Sequence, residues 1–165
     1  MTMTEGLFPA RRRVMAWPFL GAGLAFGTPR AGAAEPSRLL PGEEANIALV
    51  THFCEAWSSR DVEQLIPFVA ETLEYHVNEG GMVINGPAQL RERMGPFMAG
   101  MQTIRWEIFR SAALGDIVIN DRIDHFLRPP GSGKADNHFA VTGVFLVRGG
   151  KIHYWMDYRA PERKA

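Results

Sequence analysis

Two carboxylates and one guanidinium occupy stretches that otherwise read as buried strand. Asn120-Asp121-Arg122-Ile123-Asp124-His125-Phe126 follows the β-branched run Ile117-Val118-Ile119, and Asp157 lies within Tyr154-Trp155-Met156-Asp157-Tyr158. Successive side chains of a strand point to opposite faces, so Asn120, Arg122, Asp124 and Phe126 share one face while Asp121 and His125 share the other. An Arg-x-Asp pair alone describes a salt bridge on a solvated sheet. A second carboxylate on the same arginine, in apolar surroundings, changes the chemistry, because the two acids cannot titrate independently. One keeps its proton to neutral pH and the other stays ionised, which makes a proton donor and a proton acceptor in one pocket.

The elements that must bring these residues together are strands. Gly149-Gly150 is a two-residue hairpin signal that pairs Arg148 with Lys151 and, counting back, Thr142 with Asp157. If the loop from Arg128 to Asp136 closes symmetrically about Ser132, Arg122 also lies opposite Thr142, and Asp124 opposite Ala140. Arg122 and Asp157 then flank Thr142 on one face. The other face is expected to carry Ile117, Ile119, Ile123, Phe139, Val141, Phe145, Val147, Ile152, Tyr154 and Tyr158. That much apolar surface calls for a second covering layer, most simply another copy of the chain, giving a homodimer through the sheet.

Upstream the period is helical. Ile47, Val50, Cys54 and Trp57, with Phe53, form one apolar face over residues 43–58. Asp61 opens a second, shorter helix carrying Leu65, Phe68 and Val69, with Gln64 placed for a capping box. Leu73 to Val77 reads as a strand leading into a loop, and Asn85-Gly86-Pro87 starts a helix that Pro96 bends or ends. From Thr103 the period becomes two, giving four strands at 104–108, 117–127, 138–147 and 151–158. Helices first and a long antiparallel meander afterwards imply an α+β domain with helices packed on one face of a curved sheet.

Composition fits one domain, with 46% hydrophobic residues in 165. Arg11-Arg12-Arg13, the apolar run Val14 to Gly27 and Ala31-Gly32-Ala33 describe an export leader over residues 1–34, with a twin-arginine flavour, and a periplasmic or secreted location. A linker over 35–42, the domain over 43–160 and a tail over 161–165 complete the division. The apolar run is too short and glycine-rich for a stable membrane anchor. Without residues 1–33 the chain loses four arginines and one glutamate, leaving it net −3 and without any pull toward nucleic acid. Cys54 is the single cysteine and sits on the apolar helix stripe. The five histidines lack any paired metal-ligand spacing, so neither a metal nor a cofactor is expected.

Asp121-Arg122-Ile123-Asp124, Gly143-Val144-Phe145, Gly150-Lys151-Ile152 and Trp155-Met156-Asp157-Tyr158, with Tyr75 and Asn78 upstream, resemble the limonene-1,2-epoxide hydrolases. So does the helical Phe53-Cys54-Glu55-Ala56-Trp57 followed by Arg60-Asp61. The resemblance implies a cone-shaped, curved sheet, mixed but mainly antiparallel, with the N-terminal helices on its concave face, as in the superfamily of nuclear transport factor 2, ketosteroid isomerase and the polyketide cyclases. It also implies hydrolysis of a small apolar epoxide to a vicinal diol in one step, without a covalent intermediate. Asp157 would take a proton from a water held also by Tyr75 and Asn78, Asp124 would protonate the opening oxygen, and Arg122 would bridge both carboxylates. The chain departs from the family pattern at Met156, where arginine is usual. Between Tyr75 and Gly86 it is one residue longer, so either Asn78 or Val77 falls at the water-holding position.

Phe97, Phe126, Thr142 and Trp155 are the expected substrate walls, with Phe68 and Met98 beside them. Two other functions fit the same residues: an isomerase or cyclase with Asp157 as base and Tyr75 as oxyanion donor, and an exported domain that binds an apolar small molecule without catalysis.

Overall fold

The computed structural model describes residues 39–160. The expected leader, half of the linker and the tail lie outside the described residues. Helix α1 (Pro41–Ala56) starts with proline in its first turn, where a missing N–H costs nothing. The Glu43 carboxylate accepts from the Leu40 N–H at 2.8 Å and from the Gly115 N–H at 2.8 Å, while Asn46 Nδ2 donates to the Gly115 carbonyl at 3.1 Å. The first turns of α1 are thereby tied to the turn at Gly115. Val50, Phe53, Cys54 and, just past the helix, Trp57 are buried, the spacing expected of one face.

The second expected helix is instead two 3-10 turns, Val62–Gln64 and Ile66–Phe68. Asp61 does cap, accepting from Glu63 N at 3.0 Å, but Pro67 removes a donor before a full α-turn can propagate. Strand β1 (Val69–His76) is longer than its alternation suggested, and the short β2 (Val83–Asn85), not expected from sequence, pairs antiparallel with it. Helix α2 (Gly86–Ala99) has Pro87 in its first turn and ends three residues after Pro96. Then follow β3 (Thr103–Leu114), β4 (Ile117–Leu127), β5 (Asn137–Arg148) and β6 (Lys151–Arg159).

The six strands form one sheet in the order β2-β1-β6-β5-β4-β3. All neighbours are antiparallel except β1 and β6, which run parallel. The fold is therefore the mixed, mainly antiparallel α+β architecture expected. On the inner face α1, α2 and the sheet share one core, with Phe53 in edge contact with Trp57, Phe68, Trp106, Phe145 and Trp155 at 5.2 to 6.5 Å between centroids. No helix among the described residues is long and apolar enough to cross a membrane.

Two strand registers differ from those read from sequence, each by one residue. The β5–β6 hairpin begins as expected: Gly149 and Gly150 both take positive φ, 54° and 69°, as a type I′ turn needs, and Arg148 pairs with Lys151. Val147 then faces Ile152 and Leu146 faces Tyr154, so His153 is an extra, bulged residue and Asp157 comes opposite Gly143 rather than Thr142. In β4–β5 the loop is not centred on Ser132. Arg122 lies opposite Val141 and Asp124 opposite Phe139. Both slips fall on β5 and add to a two-residue shift of β6 against β4, which keeps those two strands' faces, while every β5 side chain changes face. Val141, Phe145 and Val147 are consequently buried on the inner face, joined by Ile152, and not on the outer face where sequence placed them. Ile117, Ile119 and Tyr158 do point outward and are 38 to 44% exposed.

Candidate active site

Strand β4 alternates exposed and buried from end to end, and its buried set is Val118, Asn120, Arg122, Asp124 and Phe126. Arg122 has no solvent exposure at all. A buried guanidinium survives only if its donors are met, and they are. Nε donates to Asp124 Oδ1 at 2.7 Å and Nη2 to Asp124 Oδ2 at 3.2 Å, a two-point fork. Nη2 also reaches Asp157 Oδ1 at 2.7 Å, and Nη1 reaches Asn120 Oδ1 at 2.8 Å. The Trp106 ring covers the guanidinium face, 4.3 Å from Cζ to centroid. Asn120 is oriented from behind by a contact of its Nδ2 with Cys54 Sγ at 3.5 Å.

Asp157 is the better-solvated acid in terms of protein donors. Besides Arg122, Trp155 Nε1 donates to its Oδ1 at 2.8 Å, and the Tyr75 hydroxyl to its Oδ2 at 3.5 Å. Tyr75 and Trp155 are cross-strand partners in β1 and β6, and their rings stack at 3.5 Å with 4° between planes. Trp155 thus stands behind Tyr75 and orients Asp157; it is not among the residues lining the cavity.

Gly143 explains how the arginine fits. A Cβ built on Gly143 would come 2.1 Å from Arg122 Nη1 and 2.7 Å from Asn120 Oδ1. Any side chain at position 143 would fill the space the guanidinium occupies.

Burial pushes both carboxyls up. Desolvation is the largest influence on Asp124, raising it to about 6 against the opposing pull of Arg122. Desolvation likewise raises Asp157, opposed by Arg122, Trp155 and Tyr75. One guanidinium and one carboxylate leave the cluster neutral, so a buried site of this kind favours a single proton shared by the two acids. Tyr75 is pushed well above the usual phenol range by burial and by Asp157, so it remains a hydroxyl donor. The Cys54 thiol is pushed up to about 12 by burial and is inert as a nucleophile.

The acids open onto a cavity of about 310 Å3. Its walls include Asp124, Asp157, Tyr75, Phe97 and Phe126, as sequence expected, with Phe97 and Phe126 in edge contact at 5.1 Å. Thr142 is not there. It lies on the outer face with Asp121, Ile119 and Arg110, because of the β5 slip. Asn78 does not line the cavity either, whereas Val77 does. The longer Tyr75 to Gly86 segment turns Asn78 into a bend closed by the Gly81 N–H donating to its carbonyl at 3.1 Å.

Sequence reasoning missed Trp57, Trp106, Met82, Met94, Asn137, Phe139, Val141 and Arg159, which also line the cavity. The signal for Trp106 was the β3–β4 hairpin, which closes at Leu114 and Ile117. A bulge at Phe109 then brings Trp106 rather than Glu107 opposite Asp124. Among the described residues no three His, Cys, Asp or Glu side chains come together as a metal-ligand set.

The model of the limonene-1,2-epoxide hydrolase catalytic domain matches residues 44–160. The chain belongs to the limonene-1,2-epoxide hydrolase family. Among solved structures it is similar to an LEH-like epoxide hydrolase of M. tuberculosis, with 28% identity and a TM-score of 0.63 over 73% of this chain and 86% of that one. A protein described as a SnoaL-like polyketide cyclase from Shewanella denitrificans shares the fold at 12% identity and a TM-score of 0.63, covering 70% of this chain and 90% of its own. A polyketide cyclase described from Xanthomonas campestris does so at 21% identity and a TM-score of 0.60, covering 71% and 91%. Family membership supplies the reaction class of hydrolases or related small-molecule enzymes, and the paired acids are where that chemistry is available.

Proposed function

We propose that the chain is a cofactor-independent epoxide hydrolase that adds water to a small epoxide in one acid/base step. The observation that carries this reading is Arg122 shared by two buried carboxylates, Asp124 and Asp157, on the wall of an otherwise apolar cavity. In the proposed step Asp157 takes a proton from a water that also contacts the Tyr75 hydroxyl. The water oxygen forms a bond to one oxirane carbon as that carbon's bond to the ring oxygen breaks. Asp124 delivers its proton to the departing oxygen, and the product is a vicinal diol. One proton has then moved from Asp124 to Asp157, and exchange with solvent resets the pair. Asp157 is assigned as base because Trp155 and Tyr75 add donors that favour its ionised form. Asp124, whose side chain is bonded only to Arg122 among the described residues, is assigned as acid.

The test is hydrolysis of cyclic and aryl epoxides in oxygen-labelled water by the parent, Asp124→Asn and Asp157→Asn. The first turnover should already place solvent oxygen in the diol, since no enzyme ester forms. Each variant should lose at least 10²-fold in kcat, roughly the contribution of one positioned acid or base. Label absent from first-turnover diol, or full activity in either variant, overturns the mechanism.

The leader expected from sequence over 1–34 supports work in the periplasm or outside the cell. The outward Ile117, Ile119 and Tyr158 support a homodimer through the sheet. Fractionation of the expressed chain and sedimentation of the purified one check these two proposals.

A further inference from the structure

The cavity wall carries a charge that the proposed step does not use. Arg159 lies two residues beyond Asp157 on β6, opposite Val141, and lines the same cavity. Its Cζ lies 3.5 Å from the centroid of Phe139. Phe139 is the cross-strand partner of Asp124. The stack fixes the plane of the guanidinium and leaves its N–H edge without a partner: among the described residues Arg159 is in no ion pair or side-chain hydrogen bond. Arg122 is the contrast, since that guanidinium is held by Asp124, Asp157 and Asn120. Asn137, two residues before Phe139 on β5, also lines the cavity with no side-chain hydrogen bond among the described residues.

We propose that Arg159 recognises an anionic group on the substrate, so that the epoxide taken by this cavity carries a carboxylate. This rests on the hydrolase reading and names its substrate class. The apolar body lies among Phe97, Phe126 and Phe139, the oxirane faces Asp124 and Asp157, and the carboxylate meets the free edge of Arg159 with Asn137 as a second donor. An arginine held flat on a ring presents parallel N–H groups, which suit a carboxylate better than a point acceptor. Asp124 and Arg159 stand on β4 and β6 with only β5 between them, and Arg159 is level with Arg122, two residues along from Asp124, so the two are about 12 Å apart at the backbone from strand spacing and rise. The oxirane and the carboxylate are therefore separated by one ring or a short chain.

The arrangement couples binding to chemistry. Among the influences on Asp124 is the charge of Arg159, which favours loss of its proton. A carboxylate docked on Arg159 cancels that charge, so Asp124 holds its proton more firmly when such a substrate is bound.

The experiment compares para-oxiranylbenzoate with its methyl ester, and the inert para-ethylbenzoate with para-ethylbenzamide, on the full chain, Arg159→Gln and Arg159→Lys. The parent should prefer the acid over the ester by about tenfold or more in kcat/KM, the worth of a charge-assisted pair. That ratio should fall toward one in Arg159→Gln and only part-way in Arg159→Lys. The descending limb of the kcat pH profile should lie higher for the acid than for the ester in the parent alone. Binding of the inert pair, followed by tryptophan fluorescence, should show the same dependence on Arg159. Epoxide turnover with an acid-to-ester ratio equal in parent and Arg159→Gln overturns the anion site and leaves the hydrolase reading standing. Arg159-dependent binding of ethylbenzoate without turnover of either epoxide supports the anion site and overturns the hydrolase. Equal binding of both inert ligands by parent and Arg159→Gln overturns the anion site whatever the turnover.

Discussion

Gly143→Ala tests whether the arginine is as tightly placed as the site requires. The added methyl would stand 2.1 Å from Arg122 Nη1, 2.7 Å from Asn120 Oδ1 and 2.8 Å from Phe145 Cε2. Ordinary contact begins at 3.4 Å, so the guanidinium nitrogen must retreat by about 1.3 Å or β5 must lift by as much. Retreat is opposed on every side. Asn120 holds Nη1, Asp124 holds Nε, Asp157 holds Nη2 and the Trp106 ring covers the face. Overpacking of this sort costs about 1 to 3 kcal/mol. A displacement of about 1 Å in a catalytic group costs about 10²-fold in rate. The expected result is therefore a folded protein, less stable by that amount in urea unfolding, with kcat/KM for an epoxide down by about 10²-fold. Gly42→Ala is the control, with nothing within 4 Å of its added carbon. It should leave kcat/KM unchanged and gain up to about 1 kcal/mol, as alanine does for glycine in a helix. Gly143→Ala with kcat/KM within about threefold of the parent and unaltered stability would refute the close approach of β5 to Arg122.

Trp155→Phe keeps the stack on Tyr75 but deletes the N–H on Asp157 Oδ1. Losing a donor to the ionised acid moves the ascending limb of the kcat/KM pH profile upward and costs about 1 to 3 kcal/mol of stability for the buried bond; an unmoved limb counts against Asp157 as base. Asp124 has its carboxyl raised from 3.8 to about 6 in the folded chain. A raised folded value contributes stability that is fully present below the unfolded value and lost as pH rises through the folded one. Relative to Asp124→Asn, the parent should lose on the order of 3 kcal/mol between pH 4 and pH 7, at 1.36 kcal/mol per unit. Urea unfolding of both across that window checks it, and parallel curves would refute it. Thr142→Val should leave kcat/KM unchanged, because Thr142 faces away from the cavity; a large loss would return β5 to the register read from sequence.

The residues that make the site were legible because their spacing on one strand is fixed by the period of two. Arg122-x-Asp124 needs no knowledge of neighbours to share a face, and Asn120 follows them. The β-branched runs and the paired glycines placed β4 and the β5–β6 turn. Less legible were segments whose structure depends on partners. β2 is three residues long and exists through pairing with β1, and the 3-10 turns after Asp61 replace a helix because Pro67 interrupts it. Asn78 and Val77 differ by one position, and the bend that separates them has no period to read.

The register of β5 shows how a wrong geometry can preserve a right neighbourhood. Its two residue sets are both apolar: Phe139, Val141, Phe145 and Val147 alternate with Ala140, Thr142, Val144 and Leu146. A strand with little polar contrast between its faces lacks the pattern that fixes register. The His153 bulge and an off-centre β4–β5 loop each shift pairing by one, and both shifts land on β5. Arg122, Asp124 and Asp157 therefore converge as expected while the residue between them changes from Thr142 to Gly143. Size could have decided the matter. A buried arginine held by three side chains needs a void where a side chain would be, and in β5 only Gly143 supplies one. Placing that glycine beneath the guanidinium sets the register of β5, turns Thr142 outward, and brings Phe139 to the inner face where Arg159 can lie across it.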